Sequence, residues 1–359
     1  MSTTEAKPSA RATDPTPRVG PVSRVLRRRE TSILLAFLVI VSAATAINPT
    51  FLFSSDGWRA LLLDPSIYIV LAVGQTFVII TKSVDLSVGS ALGLTAWAIG
   101  TTYQAWHDMP VAVAFVLGIA FGTVLGLVNG ALVAVAKVPG MVITLGTMYV
   151  FRGVNIMWAG SGRINSSDFS SEFQGFGNWR LIPDFIQIGD VKLGSLPALT
   201  LLAVIVLACA GWYLRNIRSG RQLYAIGSAP QAAELYGLPS RRLSLAAFMV
   251  SGAMAGLAGV MFAARYATVS SNAGTGYELQ AIGAAVIGGV AIVGGSGTVW
   301  GAAAGALLLT TINAALPIMG VDSLWQSAVV GALIIGAIIL DRVLARRNER
   351  RLVAERMSS

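Results

Sequence analysis

The chain has 359 residues, 55% of them hydrophobic and only 12% charged. A soluble domain carries about 25% charged residues, so a water-soluble enzyme is excluded and a membrane chain indicated. One histidine (His107) and one cysteine (Cys209) leave no zinc site and no disulfide framework, and the meaning of the +9 net charge depends on where the charges lie.

In chain order, residues 1–30 read as a basic tail, the first part rich in Pro, Ser, Thr and Ala, a composition that builds no core. The first apolar run, 32–50, follows Arg27-Arg28-Arg29 and passes through Ala44-Thr45-Ala46, the layout of a cleavable secretory signal. Its long polar leader and its continuation into Ile47-Asn48-Pro49 predict a retained helix instead. Further runs of bilayer-crossing length occupy 64–81, 86–104, 111–136, 141–158, 196–214, 245–264, 277–293, 297–317 and 324–341. The run 111–136 is long enough to tilt or to extend beyond the membrane. Between the eighth and ninth runs stands only Val293-Gly294-Gly295-Ser296-Gly297, which predicts a tight turn or a break within the membrane. Glycine is abundant throughout, at 39 residues, as close helix packing in lipid requires.

Two longer hydrophilic segments interrupt the runs. Residues 159–195 form a loop whose Phe173, Trp179 and Phe185 suit a membrane surface. Residues 215–244 form the other, and within it Ala229-Pro230 followed by Gln231 to Tyr236 predicts a short helix with proline in its first turn. Gly237 closes that helix, with Pro239 just beyond.

Lysine and arginine mark the cytoplasmic side. With both termini inside, inner segments hold 20: seven before residue 31, Lys82, Lys137, five across 215–242 and six after residue 341. Outer segments hold five (Arg59, Arg163, Arg180, Lys192 and Arg265), and Arg152 lies within a span. The asymmetry accounts for the positive charge without nucleic acid. The expected fold is therefore an all-α integral membrane protein of about ten transmembrane helices with cytoplasmic N- and C-termini. Its membrane domain is 31–345, between the basic tails 1–30 and 346–359.

No catalytic constellation is present. None of the lysines follows a glycine, so a GxxxxGK[ST] phosphate loop is missing, and Leu86-Ser87-Val88-Gly89-Ser90 has no nucleotide site to complete. The clustered aspartates of a lipid-transferring membrane enzyme are missing as well. The polar knot TKSVDLS at 81–87 has two readings. Asp85 caps a helix starting at Leu86 while Lys82 caps the carbonyl end of the helix before it, or the knot is a substrate-facing turn. Gln75, Thr76, Asn129, Thr144, Thr147, Arg152, Asn155 and Asn313 lie within spans and fit either interhelical hydrogen bonds or, with Asp85 and Ser87, a substrate pathway. Arg152 is placed to reach outward to the interface. Glu278, Asp85 and Asp322 all fall at helix ends, so an uncharged polar substrate is favoured over a cation.

Four stretches together resemble the permease subunits of bacterial ABC importers of the ribose/xylose/arabinose/galactose class. They are VIITKSVDLSVGSALGLTA (78–96), NGALVAVAKVPGMVITLGTMYVFRG (129–153), AIGSAPQAAELYGL (225–238) and GTGYELQAIGAAVIGGVAIVGGSGTVWGAAAGALL (274–308). The likeness runs over about residues 30 to 345. That family usually has glycines where Lys82 and Ser83 stand, and often an acidic residue or asparagine at the place of Gln280. The resemblance implies a type II importer permease fold in the bacterial plasma membrane and import of a monosaccharide. It also implies a second permease copy, an extracytoplasmic sugar-binding protein and separate cytoplasmic ATPase subunits. ATP is then used by the partner, and this chain binds no cofactor. The segment 227–238 becomes the coupling helix, with Gly227, Ala232, Ala233, Glu234, Tyr236 and Gly237 toward the ATPase. Ala232, Ala233 and Tyr236 share a face, and Leu235 is expected to pack back onto the permease. A branched-chain amino acid permease of related fold is the alternative.

Overall fold

The computed structural model describes residues 29–136, 138–182, 186–188, 191–193, 196–322 and separate positions within 325–339. Both tails, Phe185 and most of the tenth expected span lie outside the described residues. The helices of the bundle are α1 (Arg29–Ile47), α2 (Ser55–Ile79), α3 (Val88–Ala105), α4 (Val111–Ala136) and α5 (Gly140–Ala159), followed by the short α6 (Ser171–Asn178). Then come α7 (Ala198–Asn216), α8 (Arg218–Ser228), α9 (Pro230–Leu235), α10 (Ser240–Tyr266), α11 (Tyr277–Ile287) and α12 (Val299–Ile318). Among the described residues six helices are long and apolar enough to cross a membrane: Gly57–Ile79, Val111–Ala136, Gly140–Ala159, Ala198–Asn216, Ser240–Tyr266 and Val299–Ile318.

Two expected spans differ. The helix at 86–104 is present as α3, but it is lined with Gly, Ser and Thr and buried on most of its surface by the rest of the chain. Its hydroxyls return to their own backbone, Thr95 Oγ1 to Ala91 O (2.7 Å) and Thr102 Oγ1 to Ala98 O (2.7 Å), which lets a polar helix sit inside the bundle. The eighth run, expected at 277–293, is helical only over the 11 residues of α11. At 1.5 Å per residue that is about 16 Å, roughly half a bilayer. Gly289, Gly294, Gly295 and Gly297 all have positive φ, and they break the chain before α12 begins.

α10 is the hub, packed on α2, α3 and α4. Its seam with α4 is backbone against backbone. A β-carbon on Gly122 would lie 2.3 Å from Gly252 O, and one on Gly256 would lie 2.1 Å from Gly118 O. No side chain fits there. Outward, α4, α5 and α7 expose Val116, Leu127, Val135, Val150, Met157, Val204 and Trp212, surface suited to hydrocarbon rather than water. α1 is built into the fold, with Val41 and Ala44 buried in one cluster with Phe51, Leu61 and Ala315.

The loop 159–195 is not a simple surface layer. β1 (Arg163–Ile164) pairs antiparallel with β6 (Val269–Ser270), and three short strands, β2 (Arg180–Ile182), β3 (Ile186–Ile188) and β4 (Val191–Leu193), precede β5 (Leu196–Pro197). Phe173 on α6 is fully buried against Tyr103 and Phe169, which corrects its expected place on the membrane surface, whereas Trp179 is exposed.

Candidate functional site

The turn between α2 and α3 draws polar side chains from four helices. Its residues 84–87 are not helical, and irregular backbone at membrane depth must be satisfied from within the protein. The Gln75 side-chain amide donates to Asp85 O. Thr144 Oγ1 donates to Val84 O at 3.0 Å and accepts from Leu86 N at 3.1 Å. Asp85 is 1% exposed. Its Oδ1 accepts from Ser87 N (3.0 Å) and Ser87 Oγ (2.7 Å), and its Oδ2 accepts from Ser251 Oγ (2.9 Å). Asn129 Nδ2 completes the node by donating to Ser87 Oγ at 2.7 Å.

This geometry revises the cap reading. α3 starts at Val88, with Ser87 at the N-cap, so Asp85 caps a single amide and spends its remaining capacity on the hydroxyls of Ser87 and of Ser251 on α10. Lys82 does close α2, through its backbone: at φ +67° its N–H donates to Ile79 O at 2.9 Å and Ser83 N donates to Val78 O at 3.3 Å, the left-handed closure common at helix C-termini. Ser251 is absent from the sequence-derived set. Its one signal is its place beside Gly252 on the small-residue face of α10.

A second polar centre lies at Arg152, twelve residues into α5 and about 18 Å from its start by helix rise. Arg152, expected to reach outward, is held by side chains just before and at the start of α11. Its Nη1 donates to Thr275 Oγ1, and its Nη2 stands 3.8 Å from Glu278 Oε2. One turn on, Asn155 Nδ2 donates to Ser271 O at 2.9 Å. Glu278 therefore gains a partner that its helix-end position did not reveal. Asn313 joins neither centre, donating instead to Gln280 Oε1 at 3.1 Å across α12 and α11. Thr76 and Thr147 bond to carbonyls of their own helices, Ala72 O (2.7 Å) and Thr144 O (3.3 Å).

The segment 215–244 holds two helices where one was expected. α9 has Ala229 at its N-cap and Pro230 in its first turn, and Gly237 closes it at φ +72° with its N–H donating to Glu234 O. Its facing departs from the expected one at Ala233 and Leu235, while Tyr236 points outward as expected. Ala233 is 4% exposed, while Leu235 and Tyr236 are 89% and 87% exposed. Glu234 and Gly237 are also exposed, and Ala232 is half-buried. Gly227, at the end of α8, is pressed against α2: a β-carbon there would lie 1.8 Å from Ile80 O. Gly295 N donates to the same carbonyl at 2.9 Å. Tyr224 OH donates to Gly297 O at 3.0 Å, and burial pushes its phenol above the ordinary value, so it remains a donor.

Compared with known proteins, residues 59–338 match the family model described as branched-chain amino acid transport system / permease component. Relatives include the autoinducer 2 import system permease protein LsrC of Enterobacter sp. strain 638, 33% identical over 91% of this chain and 92% of that protein. The proteins of the same name from Shigella flexneri and Salmonella paratyphi B are each 32% identical over 91% of this chain, covering 92% and 90% of their own lengths. No solved structure matches.

Proposed function

Because the chain belongs to the family of branched-chain amino acid transport system permease components, we propose that it is the membrane-spanning subunit of an ATP-driven importer for a monosaccharide or related small polar solute. It is a multi-pass plasma-membrane permease, and permeases of this family are transport subunits rather than enzymes. In this reading ten helices span the membrane with both termini in the cytoplasm, in the type II importer arrangement. Two permease copies enclose the pathway. A binding protein delivers solute from outside, and ATPase subunits dock beneath α9 and consume the ATP, for which this chain has no phosphate loop.

The observation that carries the reading is the displayed α9, an apolar-tipped helix on a loop between basic flanks, in a chain whose relatives are named as import-system permeases. Leu235 and Tyr236 form the docking tip, Glu234 and Gly237 flank it, and Gly227, Ala232 and Ala233 seat it on the permease. The in-span residues then divide into two sets. Gln75, Thr76, Asp85, Ser87, Asn129, Thr144 and Thr147 hold the protomer together, and the solute passes nearer Arg152, Asn155 and Asn313.

The test is uptake by cells carrying the complete importer and by cells lacking this gene, with radiolabelled ribose, xylose, galactose, autoinducer 2 and leucine. Autoinducer 2 belongs in the set because the relatives are named for it. Gene-dependent uptake of a sugar or of autoinducer 2 supports the reading. Gene-dependent uptake of leucine alone returns the chain to the amino acid class that the family model is named for.

A further inference from the structure

We propose that Arg152, Asn155 and Glu278 form a subsite that hydrogen-bonds a neutral, polyhydroxylated solute in transit, a reading that rests on the importer function above. The three residues come from α5 and the first turn of α11, and Thr275 buttresses them through Arg152 Nη1. Glu278 is 8% exposed and Asn155 2% exposed. At such burial polar atoms are normally paired. Here Arg152 Nε and Nη2, Asn155 Oδ1 and Glu278 Oε2 have no hydrogen-bond partner among the described residues. Two are donors and two are acceptors; Arg152 Nη2 and Glu278 Oε2 stand 3.8 Å apart, and Asn155 follows Arg152 by three residues on α5.

The four atoms are themselves covered, so a solute reaches them only as side chains at the edge of the site shift. The Arg152 and Glu278 side chains keep 20% and 11% of their surface, and Asn272 and Thr275 beside them are exposed. A charged pair edged by exposed Asn and Thr does not face hydrocarbon, so this edge of α5 and α11 faces a polar path.

The pattern of orphan atoms selects the ligand class. A hydroxyl both donates and accepts. One hydroxyl oxygen can take an N–H from Arg152 and give its proton to Glu278 while the 3.8 Å pair stays intact, and a neighbouring hydroxyl can donate to Asn155 Oδ1. A cation or an anion alone would match one partner and repel the other. A zwitterion carries both signs but must part the pair to reach them.

The test uses the full-length permease in nanodiscs and saturation-transfer NMR with D-ribose, D-xylose, D-galactose, L-leucine and tetrahydrofurfuryl alcohol, the ribose ring without its ring hydroxyls. At least one sugar should give a saturable signal, while leucine and tetrahydrofurfuryl alcohol give none. Glu278→Gln and Arg152→Lys should each weaken sugar binding about tenfold, the loss expected for one hydrogen bond to a charged group. Should either variant fail to fold, the contrast between ribose and tetrahydrofurfuryl alcohol on the unaltered protein still decides. Equal signals from those two probes, no saturable sugar signal, or variants that bind like the parent would each overturn the subsite. If sugar uptake by the complete importer persists alongside such a result, the subsite fails and the importer reading stands. Uptake of leucine alone removes both.

Discussion

Lys82 and Asp85 stand three residues apart in one turn and are held by opposite means. Lys82 is left-handed, at φ +67°, a conformation that costs a residue with a β-carbon about 1–2 kcal/mol. Glycine has no such cost, which gives a physical reason for the glycine usual at this place in the sugar-permease class that the sequence resembles. Lys82→Gly should therefore raise stability by about 0.5–1 kcal/mol, after subtracting the extra freedom of glycine in the unfolded chain. A thermal melt of the detergent-solubilised protein measures it, and an unchanged or lower midpoint would show that the lysine side chain offsets its own strain. Asp85 is held by its partners. Asp85→Asn keeps an acceptor for Ser87 and can face its amide to the Ser251 hydroxyl, so it should remain near the parent. Asp85→Ala strands the Ser87 amide and two hydroxyls, at about 1–3 kcal/mol for each group left unsatisfied. The pair Asp85→Ala with Ser251→Ala should cost less than the sum of the two, since they share one interaction; strict additivity would separate Ser251 from the node. The knot itself was legible in the sequence, because a lysine and an aspartate between apolar runs need a reason. Which helices answer it was not, because the sequence places Gln75, Asn129 and Thr144 in spans without saying which of those spans touch.

α9 shows what punctuation in a sequence can and cannot convey. Proline at the start and glycine at the end set its limits, because each acts on backbone conformation alone. Facing depends on what the helix packs against, and nothing within 229–237 encodes that. The expectation that Leu235 turns inward follows from hydrophobicity, yet Ala233 takes the inward place and Leu235 the outward one. α11 is shorter than its apolar run for a related reason. Gly288 and Gly289 lie inside an unbroken apolar run, so hydropathy carries across a break that the backbone makes. The corrected facing changes the mutational expectation. Ala233→Arg forces a charged side chain into a buried site and should lower the yield of folded permease. Leu235→Arg and Tyr236→Ala alter exposed positions, so they should leave folding intact and reduce co-purification of the ATPase at least severalfold. If both exposed variants retain the ATPase at matched membrane levels, α9 is not the docking tip.

Across the whole molecule, the two polar centres and the docking segment are joined by one backbone junction. Ile80 O receives Gly295 N at 2.9 Å, and Gly227 sits so close to the same carbonyl that its β-carbon would lie 1.8 Å away. Three segments thereby share one point: the end of α2, the end of α8, and the glycine-rich loop between α11 and α12. From Ile80 the chain runs straight into the Asp85 node. From the glycine loop, α11 leads back to Glu278 and its pairing with Arg152. A displacement of α8 and α9 by a bound partner therefore pushes on both centres through close-packed backbone, without an intervening flexible side chain to absorb it. Gly227 is the position where this continuity is most exposed to substitution. Gly227→Val should force α8 off Ile80 while leaving the Leu235–Tyr236 tip untouched. The expected result is a permease that still co-purifies with its ATPase but whose solute uptake falls by about tenfold or more, the converse of the tip variants. A conservative Gly227→Ala should fall between them, because a single methyl demands a smaller shift of the same backbone. Normal uptake by Gly227→Val would show that motion reaches the membrane helices by another route. Loss of the ATPase along with uptake would instead make the junction a part of the docking surface, leaving α2 and the glycine loop as passive supports.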